Sequence, residues 1–425
     1  MLDIKFIREN QDIVRKTLTN KNISLDLQEL LALDEQISQA RKGIQDENTL
    51  INSLSSQTKD TQGDEKAQII AKSKEAGDRL KTLKEELRPL EEKFDHMMLF
   101  TPTIPAEDVP IGKNDEDNVV IREVGKKPAF EFTPLDHVDL IEKNGWGDFK
   151  RIPEVCGSRS ASLKGHLLKY EMALWQFTLD KLMGKGFTPM SVPVIVREAA
   201  LTNMGQFPFD RESVYHLPKD DMYLAGTAEV ILNSVHSGEM LKEEELPIMY
   251  AGFSPCFRRE AGAAGKDTRG LFRVHQFNKV EQYIICKADV NESDKMHKFL
   301  LANTEEIMQE LELPYRVIEC CTGDMGAGKY RMHDVESWCP LQERYRETHS
   351  CSTLLDWQAR RTNLRYKDKE TGKMVYAHTL NNTGIATPRI FVSLLENHQQ
   401  KDGSIRIPKA LQPYMNGAEF IGKLG

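Results

Sequence analysis

At 425 residues, with 57 Lys and Arg against 65 Asp and Glu and a net charge of −8, the chain has room for one large catalytic domain plus an accessory element. The acidic balance argues against a general nucleic-acid binder, so contact with a polyanion has to rest on local basic patches. Seven cysteines without a CxxC pair argue against a disulfide framework and a zinc site, and fit reduced thiols in a cytosol.

The first residues, MLDIKFIREN, carry no apolar segment after a basic start, and no run approaches ~18 apolar residues, so neither export nor membrane insertion is expected. From Leu30, the positions Leu30, Leu33, Ile37, Ala40, Ile44, Glu47, Ile51 and Leu54 step by three and four. Ile69, Ser73, Ala76, Leu80, Leu83, Leu87, Leu90, Phe94 and Met97 repeat the pattern. This is an a/d heptad seam, and the polar SSQTKDTQGDEK between the two runs reads as a turn. An antiparallel coiled-coil hairpin follows, spanning about residues 27–98, each helix about 40 Å long, with Pro89 placed to kink the second. The outer part, Arg41 to Lys84, holds nine Lys/Arg against seven Asp/Glu, while the base (29–40 and 85–95) holds two against eight. On charge alone the arm is either a dimerisation spacer or a rigid lever whose outer cations reach phosphates; Arg41, Lys42, Lys72, Lys74, Arg79 and Lys81 are the candidates.

TPTIPAEDVPIGKNDEDN places a Pro- and Asp-rich linker at 101–130, dividing an N-terminal domain (1–100) from a C-terminal one (131–425). Tyr170–Gly186 is helical, and FTPMSVPVIV, with Pro189 and Pro193, is strand-like. Leu224–Val230, LAGTAEV, sets a small Gly-containing turn beside Thr227, Ala228 and Glu229; unaided, it is equally a helix cap with an acidic first turn.

Residues 253–281, FSPCFRREAGAAGKDTRGLFRVHQFNKVE, read as two strands around the loop Ala261–Gly270. Strand alternation then sends Arg258 and Glu260 to one face, together with Arg273, Phe277 and Glu281. Guanidinium forks match phosphate oxygens, a phenyl ring stacks on a purine, and carboxylates accept from amines. An ordinary salt-bridged hairpin would display the same residue types. The stretch FRREAGAAGKDTRGLFRVHQFNKVE, however, closely resembles motif 2 of the seryl-tRNA synthetase family, within the class II aminoacyl-tRNA synthetases.

Three later segments extend the resemblance over nearly the whole chain. Gly323–Tyr330, GDMGAGKY, fits GxxxxGK but has Tyr330 where a P-loop needs Ser or Thr, and the family has a similar Gly-rich stretch there. YRETHSCS resembles the family's REISS segment, which assigns Glu347, Thr348, His349 and Ser350 to ATP, with Glu347 and Ser350 offering hard oxygens to its magnesium. HTLNNTGIATPRIF resembles motif 3: a strand, a turn at Asn381–Gly384, and a helix from about Pro388, with Pro388 where the class usually has glycine.

The resemblance implies an α+β fold: an antiparallel sheet of six to eight strands flanked by helices, behind an N-terminal tRNA-binding arm. It implies ATP-dependent activation of L-serine to seryl-adenylate, then transfer to the 3′ end of tRNA(Ser); charging of selenocysteine tRNA stays open. Arg258, Arg273 and Arg389 would neutralise charge during the reaction. Thr227, Ala228, Glu229, Arg258, Glu281 and Thr383 would bind serine, with Thr227–Glu229 at its ammonium end and Glu281 at its hydroxyl. Arg258, Arg259, Glu260, Arg273, Val274, Phe277 and Arg389 join residues 347–350 around ATP. The loop cations Lys266 and Arg269 are assigned to tRNA with the arm. The segment around Pro193 resembles motif 1, which implies a homodimer, and the expected location is cytoplasmic. Two rivals share this core. An acyl-carrier paralogue would lack the arm, and a non-catalytic relative would have lost charged residues that remain here.

Overall fold

The computed structural model describes residues 1–261, 265, 267 and 269–422. They divide into two compact units, one built mainly from Leu2–Thr19 and Ile23–Thr101 and the other from Pro102 onward.

The first unit is helical: α1 (Ile4–Glu9), α2 (Gln11–Asn20), α3 (Leu27–Asp60) and α4 (Asp64–Met98). The Asp26 carboxylate starts α3 by accepting from the Gln28 and Glu29 amides, both at 3.0 Å. The seam then buries Leu30, Leu33, Ile37 and Leu54 against Ile69, Ala76 and Leu87. Glu47, a weak seam position in sequence, is tied to Arg79 across the hairpin at 2.8 Å. The turn is shorter than expected. Helix α3 runs through the polar stretch to Asp60, and only Thr61–Gly63 connect it to α4, with Gly63 at φ 69°. Ser56, Thr58 and Thr61 hydroxyls bond carbonyls four residues back at 3.2, 2.7 and 2.7 Å, so they are satisfied inside the helix instead of breaking it. The helices have 34 and 35 residues, which makes each about 50 Å long rather than 40. Pro89 lies inside α4.

The second unit is organised by an eight-stranded sheet. Its strands are β1 (Val119–Val124), β2 (Thr188–Ser191), β3 (Ile248–Phe257), β4 (Gln276–Cys286), β5 (Tyr315–Glu319), β6 (Arg331–Cys339), β7 (Arg344–Leu355) and β8 (His378–Thr387). Their order is β1-β5-β6-β7-β8-β4-β3-β2, antiparallel except where β2 runs parallel to β3. Around it lie α5 (His166–Gly184), α6 (Glu229–Ser234), α7 (Val290–Glu310), α8 (Trp357–Thr362) and α9 (Arg389–His398). Val280, Ile284, Leu380 and Ile385 of the central strands share one apolar core with Leu174 and Phe177 of α5, Leu300 and Ile307 of α7, and Phe391 and Leu395 of α9.

The fold extends one expectation and corrects two. Residues 101–130, read as a Pro- and Asp-rich linker, are packed along the second unit: Ala106 and Val109 are buried, the Thr103 and Ala106 amides bond the Ala327 and Tyr330 carbonyls, and Val119–Val124 form the edge strand β1. The prolines fix an extended path, and its pairing partners lie two hundred residues away, beyond any local signal. Second, the motif 2 strands stop at Phe257 and resume at Gln276, so Arg258, Glu260 and Arg273 lie outside them; Glu260 has φ 52°. Alternation therefore does not orient those three, although Phe277 and Glu281 do share a face of β4. Third, no turn interrupts β8 at Asn381–Gly384. The Asn382 amide bonds the Leu300 carbonyl (2.7 Å) and the Thr304 hydroxyl (2.9 Å), and Gly384 leaves room for the Val280 carbonyl, which an added Cβ would approach to 3.0 Å. Tertiary partners thus satisfy turn-forming residues within a strand.

Candidate active site

One cavity is lined by Arg258, Glu260, Phe272, Val274, Phe277, Lys279, Glu347, Thr348, Thr383, Ala386, Thr387, Pro388 and Arg389. Residues from motifs 2 and 3 and from the YRETHS strand thus converge on a single concavity in the sheet.

The end lined by Arg258, Phe277 and Arg389 is cationic and aromatic. The Arg258 guanidinium lies 5.2 Å from the centre of the Phe277 ring. Arg389, in the first position of α9 with Pro388 just before it, donates to Glu347 at 3.1 Å and lies 4.9 Å from the Phe272 ring. Arg273 bonds Glu260 at 3.0 Å and Asp267 at 3.2 Å. Burial works against ionisation of Glu347, but Arg389, Arg258 and Arg273 hold its carboxyl below the usual range.

Glu347 and Ser350 are three residues apart, which would put them on opposite faces of a regular strand. A bulge corrects this: Glu336 pairs Glu347 while Val335 pairs His349, leaving Thr348 as the extra residue. Glu347 and Ser350 consequently share a face with Asp334, which is Ser350's cross-strand partner. Asp334 is buried, and its Oδ1 has no hydrogen-bond partner. Burial, reinforced by Glu347, raises its carboxyl well above the usual range. His349 goes to the opposite face. It is buried, beside Thr348 (2.9 Å), burial lowers it to about 4, and it is not among the residues that line the cavity.

The floor carries the polar set assigned to the amino acid. Glu281 is directly opposite Thr383 in the β4–β8 register. It is buried and ion-paired with Lys279, two residues earlier on the same face. Thr227 Oγ1 accepts from Lys279 Nζ at 2.8 Å and from the Glu229 amide at 3.2 Å. Ala228 and Glu229 are buried; Gln358 of α8 donates to Glu229 at 2.8 Å. Burial pushes the Glu281 carboxyl up; Lys279 opposes the rise and Glu229 adds to it.

Arg259 is exposed and outside the cavity lining. In the loop, Arg269 is engaged by Asp136 and Asp139 at 2.7 and 2.5 Å, and Lys266 lies outside the described residues. On the arm, Arg41 pairs Glu91 at 2.7 Å, Arg79 pairs Glu47, and Lys81 lies 4.0 Å from Glu85. Lys42, Lys72 and Lys74 are exposed and form no ion pair among the described residues.

Sequence reasoning missed Lys279, Asp334, Gln358, Asp267 and Arg346. Arg346 grips Asp267 at 2.7 and 3.1 Å and stacks 3.5 Å from the Phe272 ring. Although burial opposes it, Arg346 and Arg273 hold Asp267 below the usual carboxylate range. The usable signal was local for two of them: Arg346 adjoins Glu347, and Lys279 stands two residues before Glu281 on the same strand. The GxxxxGK segment leads into strand β6, not a helix, and Lys329 bonds Ser352 at 2.6 Å, which rules out a P-loop.

Residues 1–105 match the family model described as the seryl-tRNA synthetase N-terminal domain, and residues 213–398 match that of the tRNA synthetase class II core domain (G, H, P, S and T). A curated relative from Deinococcus radiodurans named serine–tRNA ligase is 52% identical over 423 residues, covering 100% of this chain and 99% of its own. The crystal structure of seryl-tRNA synthetase from Pyrococcus horikoshii complexed with ATP superposes with a TM-score of 0.92 at 39% identity, covering all of both chains. That of a cytoplasmic serine–tRNA ligase from Naegleria fowleri in complex with AMP gives 0.88 at 29%, over 100% of this chain and 99% of that one. With the cavity, the arm and full-length identity in agreement, the chain belongs to the seryl-tRNA synthetase family.

Proposed function

We propose that this protein activates L-serine with ATP to seryl-adenylate and pyrophosphate, and then transfers the seryl group to the 3′ end of tRNA(Ser). The observation that carries the reading is one cavity with two chemically distinct ends. Arg258, Phe277 and Arg389 line one end, and Lys279 and Thr383 line the other, where the Lys279 ammonium is bonded to the buried Thr227 and Glu281 just behind the lining.

Adenine stacks between the Phe277 ring and the Arg389 guanidinium, and Arg258, Arg273 and Arg389 take the phosphates. Glu260 and Glu347 keep those arginines oriented before the nucleotide arrives. The serine carboxylate attacks the α-phosphorus in line and the pyrophosphate departs. No side chain acts as nucleophile, so catalysis comes from positioning and charge neutralisation. The adenosine hydroxyl at the end of the tRNA then attacks the activated carbonyl and displaces AMP. At the floor, Glu281 and Thr383 bind the serine hydroxyl, so alanine would leave buried polar groups unpaired.

Glu347 and Ser350 fit a magnesium ion that arrives with ATP. Their oxygens share one face through the bulge, with the unpartnered Asp334 oxygen on that face. Bound there, the ion would neutralise phosphate charge.

The arm reads as the tRNA lever, its exposed Lys42, Lys72 and Lys74 facing the phosphates of the long variable arm. Leu168, Met172 and Met183 are exposed along α5, an apolar surface that suits a second copy of the chain. A cytoplasmic location fits seven free cysteines, six of them buried. Among the described residues, no helix is long and apolar enough to cross a membrane.

Amino-acid-dependent ATP–pyrophosphate exchange across a panel of amino acids tests the reading. Serine alone is expected to support strong exchange. Strong exchange with alanine or glycine and none with serine would end it.

A further inference from the structure

A lysine on a buried strand is costly unless its charge is paired and its donors are used. Lys279 lies on β4 between Phe277 and Glu281, with only 6% of its surface exposed, yet it lines the cavity. Its ammonium has two partners at the floor, the Glu281 carboxylate and the Thr227 hydroxyl.

The Thr227 bond fixes a polarity. A hydroxyl has two acceptor sites and one donor. The Glu229 amide fills one acceptor site at 3.2 Å and Lys279 fills the other at 2.8 Å. The remaining capacity of Thr227 Oγ1 is to donate. Its side chain is therefore set to meet an oxygen of the amino acid rather than the ammonium end to which the resemblance assigned it, and the ammonium group is left to carboxylates such as Glu229. Glu281, an acceptor when ionised, is the complementary member. We propose that Lys279 is a positioning residue of the amino-acid pocket, whose ammonium orders Thr227 as donor and Glu281 as acceptor so that together they grip the substrate. The inference rests on the reading of Thr227 and Glu281 as serine-binding groups.

Burial acts to neutralise Glu281, and Lys279 is the strongest influence against it. The other charged or titratable groups near Glu281 are Glu229 at the start of α6, Lys329 before β6, Cys256 on β3 and Cys351 on β7. Removing the Lys279 charge should therefore make the acceptor depend on pH.

The test measures serine and ATP dependence of pyrophosphate exchange for Lys279→Met between about pH 6.5 and 8.5, with wild type run in parallel to remove any titration of the substrate amine. The serine KM should rise at least about tenfold near neutrality, as expected for losing a charge-assisted bond. The deficit should shrink as pH rises and Glu281 ionises unaided. The KM for ATP should stay within about twofold and the wild-type profile should stay flat. Lys279→Gln, which can still donate to Thr227 without charge, gives the same reading if the methionine variant folds poorly. Thr227→Val should cost much less in the Lys279→Met background than alone, because the hydroxyl has already lost its orientation. A deficit that does not vary with pH, or a serine KM within about twofold of wild type, overturns the proposal. Glu281→Ala separates the two levels. If it impairs serine use while Lys279→Met behaves as wild type, only the role of Lys279 fails. If Glu281→Ala leaves serine use intact, the parent assignment of the pocket fails with it.

Discussion

Replacing Glu281 with alanine removes the buried acceptor opposite Thr383 and one partner of a buried ion pair. The side chain is 3% exposed and Lys279 stands beside it on the same strand face, so little water is available to take its place. Two charge-assisted bonds to the serine hydroxyl and ammonium are worth roughly 1.5–3 kcal/mol each, about 3–6 kcal/mol together. At 1.36 kcal/mol per decade, that is a loss of about 10²–10⁴ in kcat/KM for serine. Stability should fall as well, because Lys279 would keep only Thr227; stripping one partner from a buried pair typically costs about 3–5 kcal/mol. Glu281→Gln retains an acceptor oxygen without the charge and should lie between wild type and alanine in both measurements. Steady-state pyrophosphate exchange, with serine and ATP varied separately, reads the first effect, and urea unfolding reads the second. Folded Glu281→Ala with serine kcat/KM within about threefold of wild type would refute the reasoning, since a carboxylate that grips the substrate hydroxyl is not that dispensable.

Excising residues 35–92 and closing with a short Gly/Ser linker should leave serine activation intact and collapse tRNA charging; full-rate charging by the truncated protein would make the arm a spacer. Replacing Lys42, Lys72 and Lys74 with alanine should flatten the salt dependence of tRNA binding by about 0.7–0.9 log units per lost phosphate contact, measured from 50 to 300 mM salt. Met172→Glu puts a carboxylate on the exposed apolar stripe of α5 and should give a monomer by light scattering; an unchanged dimer would move the interface elsewhere. Acid should destabilise the fold through histidines buried as neutral rings. Burial lowers His333 and His398 to about 4, and burial with His333 close by lowers His297 well below its ordinary value. Because the folded values lie below the unfolded ones, this stability is present above about pH 6.5 and is lost as pH falls toward 4, up to ~3 kcal/mol for each of His333 and His398. His333→Gln should reduce the pH 7-to-5 loss in urea midpoint; an unaltered loss would show that carboxylates dominate instead.

The sequence by itself determined the elements whose signal is short-range. The heptad spacing of Leu30, Leu33, Ile37 and Leu54 specified the arm because each helix needs only its neighbour three or four residues on, and one partner, to bury that stripe. The residue types of motif 2 and YRETHS were compatible with phosphate, purine and ammonium but equally with a salt-bridged surface, and it was their resemblance to the seryl-tRNA synthetase family that assigned them to ATP and serine. Tertiary structure decided how those groups face one another. Only the pairing of β6 with β7 creates the bulge that swings Glu347 and Ser350 onto one face and His349 off it. Only α7, packed on β8, holds Asn382 in a strand where its sequence favours a turn. Residues 101–130 become an ordered edge because β5 offers them a partner about two hundred residues later. Lys279 gained its place the same way, since a lysine in a strand reads as solvent-facing until the fold closes Thr227 and Glu281 around it. Register, bulges and the burial of charge arise from contacts between segments far apart in the chain, and no local pattern of residues encodes them.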